Sequence, residues 1–364
     1  MKRRQRIFLE LIQIALSNRS ALSETMSEKD WYWMLDNAKK QSLAGFLFPA
    51  IKNLPPQNKP ALRPSMLWYG LAEFITETHA KHVSVLHKTH SLLEAKKIPH
   101  VFMKGLTCGK RYAKPETRSC GDIDFVVSSS DYSRTLDALG TIGVVDRDFV
   151  HEKHGKVQVD NIILEPHYKV HNFQNPRNDR AMQEMFDDVF PNGLRQIDIE
   201  GQNIPVYPLD LEGVFLLSHM VHHVYEEGLG LRQVIDFYYY LQTVGKAPSE
   251  QLLKRVNMTR VCRIFTRICE HYLGLPETIC HYNYTEKEKV FAEKLLEDIM
   301  RVGNFGKATD YGKKKGWIGS IINYWMIVKR CYALGYLCPS EAKYWPFCKF
   351  IRFFEKKANP EKFQ

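Results

Sequence analysis

The sequence predicts an α+β protein in which an α/β core with a mixed sheet lies between two helical regions. Three observations carry that expectation. The stretches that read as strands fall within residues 96–208, whereas residues 1–95 and 209–364 read as helices. One of those runs, Ser119-Cys120-Gly121-Asp122-Ile123-Asp124-Phe125-Val126-Val127, carries two carboxylates one residue apart. At 364 residues and 44% hydrophobic content, the chain is long and apolar enough to bury sizeable cores in two or three domains.

Residues 1–16 read as one amphipathic helix. The opening Met1-Lys2-Arg3-Arg4-Gln5-Arg6 begins like a signal peptide, but Glu10 and Gln13 interrupt an apolar stretch that is already short. Residues 27–38 start with capping side chains, and residues 41–51 form a shorter helix that stops before Leu54-Pro55-Pro56. Residues 64–97 give the longest helical pattern of this half, with Leu67, Leu71, Phe74, Ile75, His79, Val83, Leu86 and Leu93 in register. It delivers the chain to a strand at residues 98–104, which breaks at Gly105 and opens into a helical segment.

On the next strand Asp122 and Asp124 point to one face while Ile123, Phe125 and Val127 point to the other. Two like charges this close raise the pKa of one of them unless a cation sits between, and a hard divalent ion with oxygen ligands is the simplest occupant: Mg²⁺, or Mn²⁺ in its place. An isolated Asp-x-Asp is as readily a strand end with two solvated acids. The order strand, glycine turn, helix start, acidic strand favours the metal, because backbone N–H groups can then meet phosphates that the carboxylates hold through the ion.

Ser128-Ser129-Ser130-Asp131 signals a helix over residues 132–139, ended by Gly140 and Gly143. Residues 156–170 are long and rich in β-branched side chains and read as one further strand, carrying Asp160, Glu165 and His167. On a regular strand Asp160 and Glu165 face opposite sides, so at most one reaches the aspartate pair. Residues 197–206 read as a hairpin. Residues 211–243 are helical with a break at Gly228-Leu229-Gly230, and His219 and His223 share a helix face. Helices over residues 249–273, 285–302, 317–336 and 344–357 complete an all-α end.

The block from Lys104-Gly105 through Tyr112 and Arg118 to Gly121-Asp122-Ile123-Asp124 resembles the nucleotidyltransferase superfamily, which shares its catalytic fold with DNA polymerase beta. Within it the likeness is to a bacterial family of uncharacterised nucleotidyltransferases. The resemblance implies metal-dependent transfer of a nucleoside monophosphate from an NTP, ATP first among them, to a hydroxyl on a small molecule, sugar or protein, with release of pyrophosphate. It assigns metal binding and catalysis to Asp122, Asp124 and a third acid. Glu165, in a Glu-x-His like the family's acid-x-His, is the choice; Asp160 is the fallback. Lys104, Gly105, Thr107, Arg118, Gly121 and Arg232 are the implied nucleotide contacts. Lys104-Gly105 departs from the superfamily's usual Gly-Ser turn, with Thr107 the nearest hydroxyl. Arg118 can equally pair with Asp122, four residues on. A His-x-x-x-His followed by Gly230-Leu231-Arg232 and Asp236 again resembles the family, and adds Asp236, with His167, His219 and His223, as secondary candidates on a lobe over the substrate.

Net charge is +10, and residues 307–364 hold twelve Lys or Arg against four acids. With Trp317, Tyr324, Trp325, Tyr344, Trp345 and Phe347, that end can contact a phosphorylated substrate, a nucleic acid or an anionic membrane surface peripherally, although a solvated helical face is the plainer reading. Nucleic acid is not the favoured partner. No run of about eighteen apolar residues occurs, so no membrane span is expected. Eight cysteines without a Cys-x-x-Cys pair argue for reduced thiols in a cytoplasm. His151, His154, His167 and His171 lack cysteine or carboxylate company at zinc spacing. Two other functions fit an Asp-x-Asp strand: a nucleotide-sugar-dependent glycosyltransferase, against which the helical residues before it weigh, and a non-catalytic binding or antitoxin-like protein that keeps the fold.

Overall fold

Seven strands form one mixed sheet in the computed structural model, which describes residues 1–147, 153–170, 173–309 and 316–358. They are β1 (His100–Met103), β2 (Asp122–Val127), β3 (Val144–Val145), β4 (Val157–Val159), β5 (Ile162–His167), β6 (Arg195–Ile199) and β7 (Gln202–Val206), in the order β3-β4-β5-β2-β1-β7-β6. β2 lies at the centre, antiparallel to β1 and parallel to β5. The expected α+β architecture with a mixed sheet is the observed one.

The alternation of β2 decides which layer each residue joins. Ile123, Phe125 and Val127 pack with Phe102, Leu164 and Val157 in one apolar cluster, against Val83, Leu86 and Leu93 of the helix Leu62–Ala95. Val126, with Val101 and Met103, joins the larger cluster that the N- and C-terminal helices share. Asp122 and Asp124 stand on this second face, so the acids look toward the helical layer.

Residues 156–170 are not one strand. Asp160 (φ 47°) and Asn161 (φ 66°) form a left-handed two-residue turn, a conformation these short polar side chains tolerate, and split the segment into β4 and β5. The helix expected over residues 249–273 is likewise two, Glu250–Arg255 and Thr259–Leu273, parted near Asn257 at φ 57°. A helix at Pro176–Asp187 has no counterpart in the expectations; Pro176 opens it and the Asn175 side chain accepts a hydrogen bond from Arg177 N at 3.0 Å. His151 and His171 lie outside the described residues, as does much of the basic run near residues 310–315. All eight cysteines are free thiols. Among the described residues no helix is long and apolar enough to cross a membrane.

Candidate active site

The sheet register sets the site. Asp124 is level with Glu165 on β5 and with Met103 on β1, so Lys104 emerges beside it at the end of β1. One oxygen each of Asp122, Asp124 and Glu165 lies within 4.8 Å of the others. Asp160 does not join them. It sits exposed in the β4–β5 turn, 3.3 Å from Lys88 Nζ, because the turn carries it past the end of the strand.

Charge within this group is unevenly shared. Asp124 is buried, which alone raises a carboxyl pKa, but Lys104 Nζ at 2.9 Å and His167 Nε2 at 2.9 Å both meet its Oδ1 and hold it well below the usual range. His167 must donate from Nε2 to serve that carboxylate; its Nδ1 has no partner among the described residues. The charge of Asp124, with burial adding to it, pushes Asp122 up to about 6. Glu165 is drawn below its ordinary value against the cost of its burial, chiefly by His167, 3.7 Å from Oε2. His154 stacks on His167 with ring centres 4.7 Å apart and places Nδ1 3.6 Å from the same oxygen. His154, Glu165 and His167 thus form a second close set of donor atoms, the carboxylate company that sequence spacing hides.

The turn before β2 is held from beneath. Arg118, 4% exposed, donates from Nε and Nη2 to the two oxygens of Asp236, each at 2.7 Å, and Tyr112 donates to Asp236 at 2.7 Å. Arg118 is therefore held in a buried ion pair, and its partner is Asp236, not Asp122. Arg232, one helical turn before Asp236, donates to the carbonyl of Ser119 at 2.6 Å. Thr107 is also turned away: its hydroxyl donates to the Lys104 carbonyl at 2.8 Å, closing the bend after β1. Lys104 (φ 53°) and Gly105 (φ 48°) are both left-handed there, and a Cβ on Gly105 would lie 3.4 Å from the Asp122 carbonyl.

The acids open into a cavity of about 320 Å³. Lys104, Gly105, Gly121, Arg232, His219 and His223 border it, so these expected residues do converge, with Arg118 and Asp236 at its floor. His223 Nε2 lies 3.0 Å from His219 Nε2, and burial keeps both imidazoles neutral by lowering their pKa. Sequence reasoning missed Lys153, whose pKa burial lowers, and also Glu226, Glu227, Lys349 and Arg352. For Lys349 and Arg352 the signal was present in the C-terminal charge excess; Lys349 is bonded to Glu226 at the rim. Lys153 follows no readable motif.

A family model described as an uncharacterised nucleotidyltransferase matches residues 27–274. No curated protein matches the chain. Among solved structures it is similar to the antibiotic-resistance factor ANT(2'')-Ia at 11% identity and a TM-score of 0.37, over 53% of this chain and 98% of that one. It is also similar to an antigenic nucleotidyltransferase-like protein from Paracoccidioides brasiliensis at 14% identity and a TM-score of 0.34, over 56% of this chain and 96% of that one.

Proposed function

This chain belongs to the family of uncharacterised nucleotidyltransferases, and from that premise we propose that it moves a nucleoside monophosphate from an NTP, ATP first among them, to a hydroxyl acceptor. The observation that carries the reading is the convergence of Asp122, Asp124 and Glu165 within 4.8 Å on the wall of a cavity. An all-oxygen donor set of that spacing suits Mg²⁺ or Mn²⁺, and the repulsion that lifts Asp122 is what a cation between the acids relieves. Held by these acids, such an ion would supply positive charge against the α-phosphoryl oxygens and the leaving group.

The chain's own residues do the rest. Lys104 fixes Asp124 in place and sets a positive charge at the mouth of the bend, and Lys153 and Arg232 add charge around the triphosphate. Glu165, aimed by His167 and His154, takes the acceptor proton as the hydroxyl oxygen bonds to the α-phosphorus. The bond from that phosphorus to the bridging oxygen breaks, and pyrophosphate leaves. A thermal-shift panel of nucleoside triphosphates and nucleotide sugars with Mg²⁺ or Mn²⁺ tests this on wild type and the Asp122→Asn/Asp124→Asn double variant. Triphosphate stabilisation lost in the variant is expected. Stabilisation by nucleotide sugars instead, or no metal-dependent response, overturns it in favour of a glycosyltransferase or a binding protein respectively.

A further inference from the structure

A second cavity, of about 310 Å³, meets the first at Asp122. Cys120, Gly121, Arg232 and Phe305 border both, so one short wall divides them. Phe305 holds a left-handed backbone (φ 53°) at this seam, an unusual conformation for an aromatic residue.

The two cavities differ in chemistry. The first is lined by lysines, histidines and acids, whereas the second has an apolar wall of Ala38, Leu71, Phe74 and Ile75. Phe74 leaves 64% of its surface exposed there. Among the described residues that line it, Lys39, Lys307 and Arg232 supply the charge without an ion pair, and Asp122 is the one acid. A volume near 300 Å³ with an apolar wall and a few charged groups is that of a small-molecule site rather than a polymer track.

Resting on the transfer reaction set out above, we propose that this second cavity is the acceptor site and that it takes a small amphipathic anion. The acceptor has an apolar ring or short aliphatic body against Leu71, Phe74 and Ile75, a carboxylate or phosphate toward Lys39 and Lys307, and its hydroxyl at Asp122. The placement follows from the reaction. Nucleophile and leaving group stand on opposite sides of the phosphorus, and Asp122 borders both cavities, so an acceptor in the second reaches the acid that the triphosphate meets in the first. The acceptor oxygen, held at Asp122, bonds to the α-phosphorus; its proton goes to Glu165, whose carboxylate lies within 4.8 Å of that of Asp122, the bond from phosphorus to the bridging oxygen breaks, and pyrophosphate departs through the first cavity. A cationic acceptor would meet three like charges and one already engaged acid.

Calorimetric titration of the full chain, saturated with Mg²⁺ and α,β-methylene-ATP, tests this with matched probes: 3-(4-hydroxyphenyl)propionate, its uncharged amide, and the cation tyramine. The acid is expected to bind about tenfold tighter than tyramine, with the amide between them. Lys39→Ala/Lys307→Ala should weaken the acid by about fivefold or more while leaving the nucleotide analogue's affinity unchanged, and Phe74→Asp should weaken all three probes. Tyramine binding as tightly as the acid, acid binding indifferent to the lysines, or no probe binding beside a normally bound analogue overturns the acceptor assignment alone. An analogue that binds without regard to Asp122→Asn overturns nucleotidyl transfer itself, and the acceptor role with it.

Discussion

Arg118 and Asp236 form a two-pronged buried ion pair, both contacts at 2.7 Å, that joins the turn leading into Asp122 to the helix Leu231–Val244. Burial raises the carboxyl pKa of Asp236, but the Arg118 charge overrides this and keeps it low. Removing one partner strands the other charge in the interior. Asp236→Ala should therefore cost about 3–5 kcal/mol in urea unfolding. Arg118→Lys should also be destabilising, because an ammonium cannot reproduce the planar fork. A loss under about 1 kcal/mol for Asp236→Ala would mean that the pair holds nothing in place.

Two glycines in the site make opposite demands. Gly105 sits at φ 48° with the Asp122 carbonyl 3.4 Å from where a Cβ would be, whereas a Cβ on Gly121 would meet nothing within 4 Å. Gly105→Ala should destabilise by about 1 kcal/mol and Gly121→Ala by much less. Parallel thermal melts decide this, and equal shifts for both would refute it.

Of the two acids on the β4–β5 hairpin, Glu165 lines the cavity and Asp160 does not. Glu165→Gln should remove the stabilisation that a triphosphate gives with Mg²⁺, while Asp160→Asn, altering a side chain that meets Lys88 at 3.3 Å in the turn, should leave it intact. Loss in Asp160→Asn with retention in Glu165→Gln would reverse the assignment.

Acid sensitivity should come in part from Glu288. Its hydrogen bonds from Arg263, at 2.6 and 2.9 Å, chiefly hold its pKa down at about 2, against an ordinary 4.5. A depressed carboxyl contributes stability above its unfolded pKa and loses it as pH falls through the folded one. Glu288→Gln should thus cost about 2 kcal/mol at pH 7, and the gap to wild type should close between about pH 4.5 and 2. Denaturant melts across that range check it; a gap as wide at pH 2 as at pH 7 would contradict it.

How far the sequence reveals this protein depends on which residues are local to one another. Asp122 and Asp124 were legible because strand alternation alone puts them on one face, and Lys104-Gly105 because a glycine ends an apolar run. The split of residues 156–170 was hidden, since Asp160-Asn161 is a turn only through its left-handed backbone and lacks the glycine that usually announces one. The partners of Arg118 and Thr107 were hidden because residue type says nothing of burial: they are Asp236, 118 positions away, and a carbonyl three back. Lys153, Lys349 and Phe305 reach the cleft only through tertiary packing, from loops and a C-terminal helix whose sequence carries charge but no spacing.

In the proposed reaction Asp122, Asp124 and Glu165 together hold a divalent cation against a triphosphate. Titrating Mn²⁺ into the full chain with α,β-methylene-ATP, and following free Mn²⁺ by electron paramagnetic resonance, tests it most directly. Nucleotide-dependent Mn²⁺ binding is expected in wild type, displaced by excess Mg²⁺ and lost in Asp122→Asn/Asp124→Asn and in Glu165→Gln. Binding of equal strength in wild type and all of these variants would contradict it.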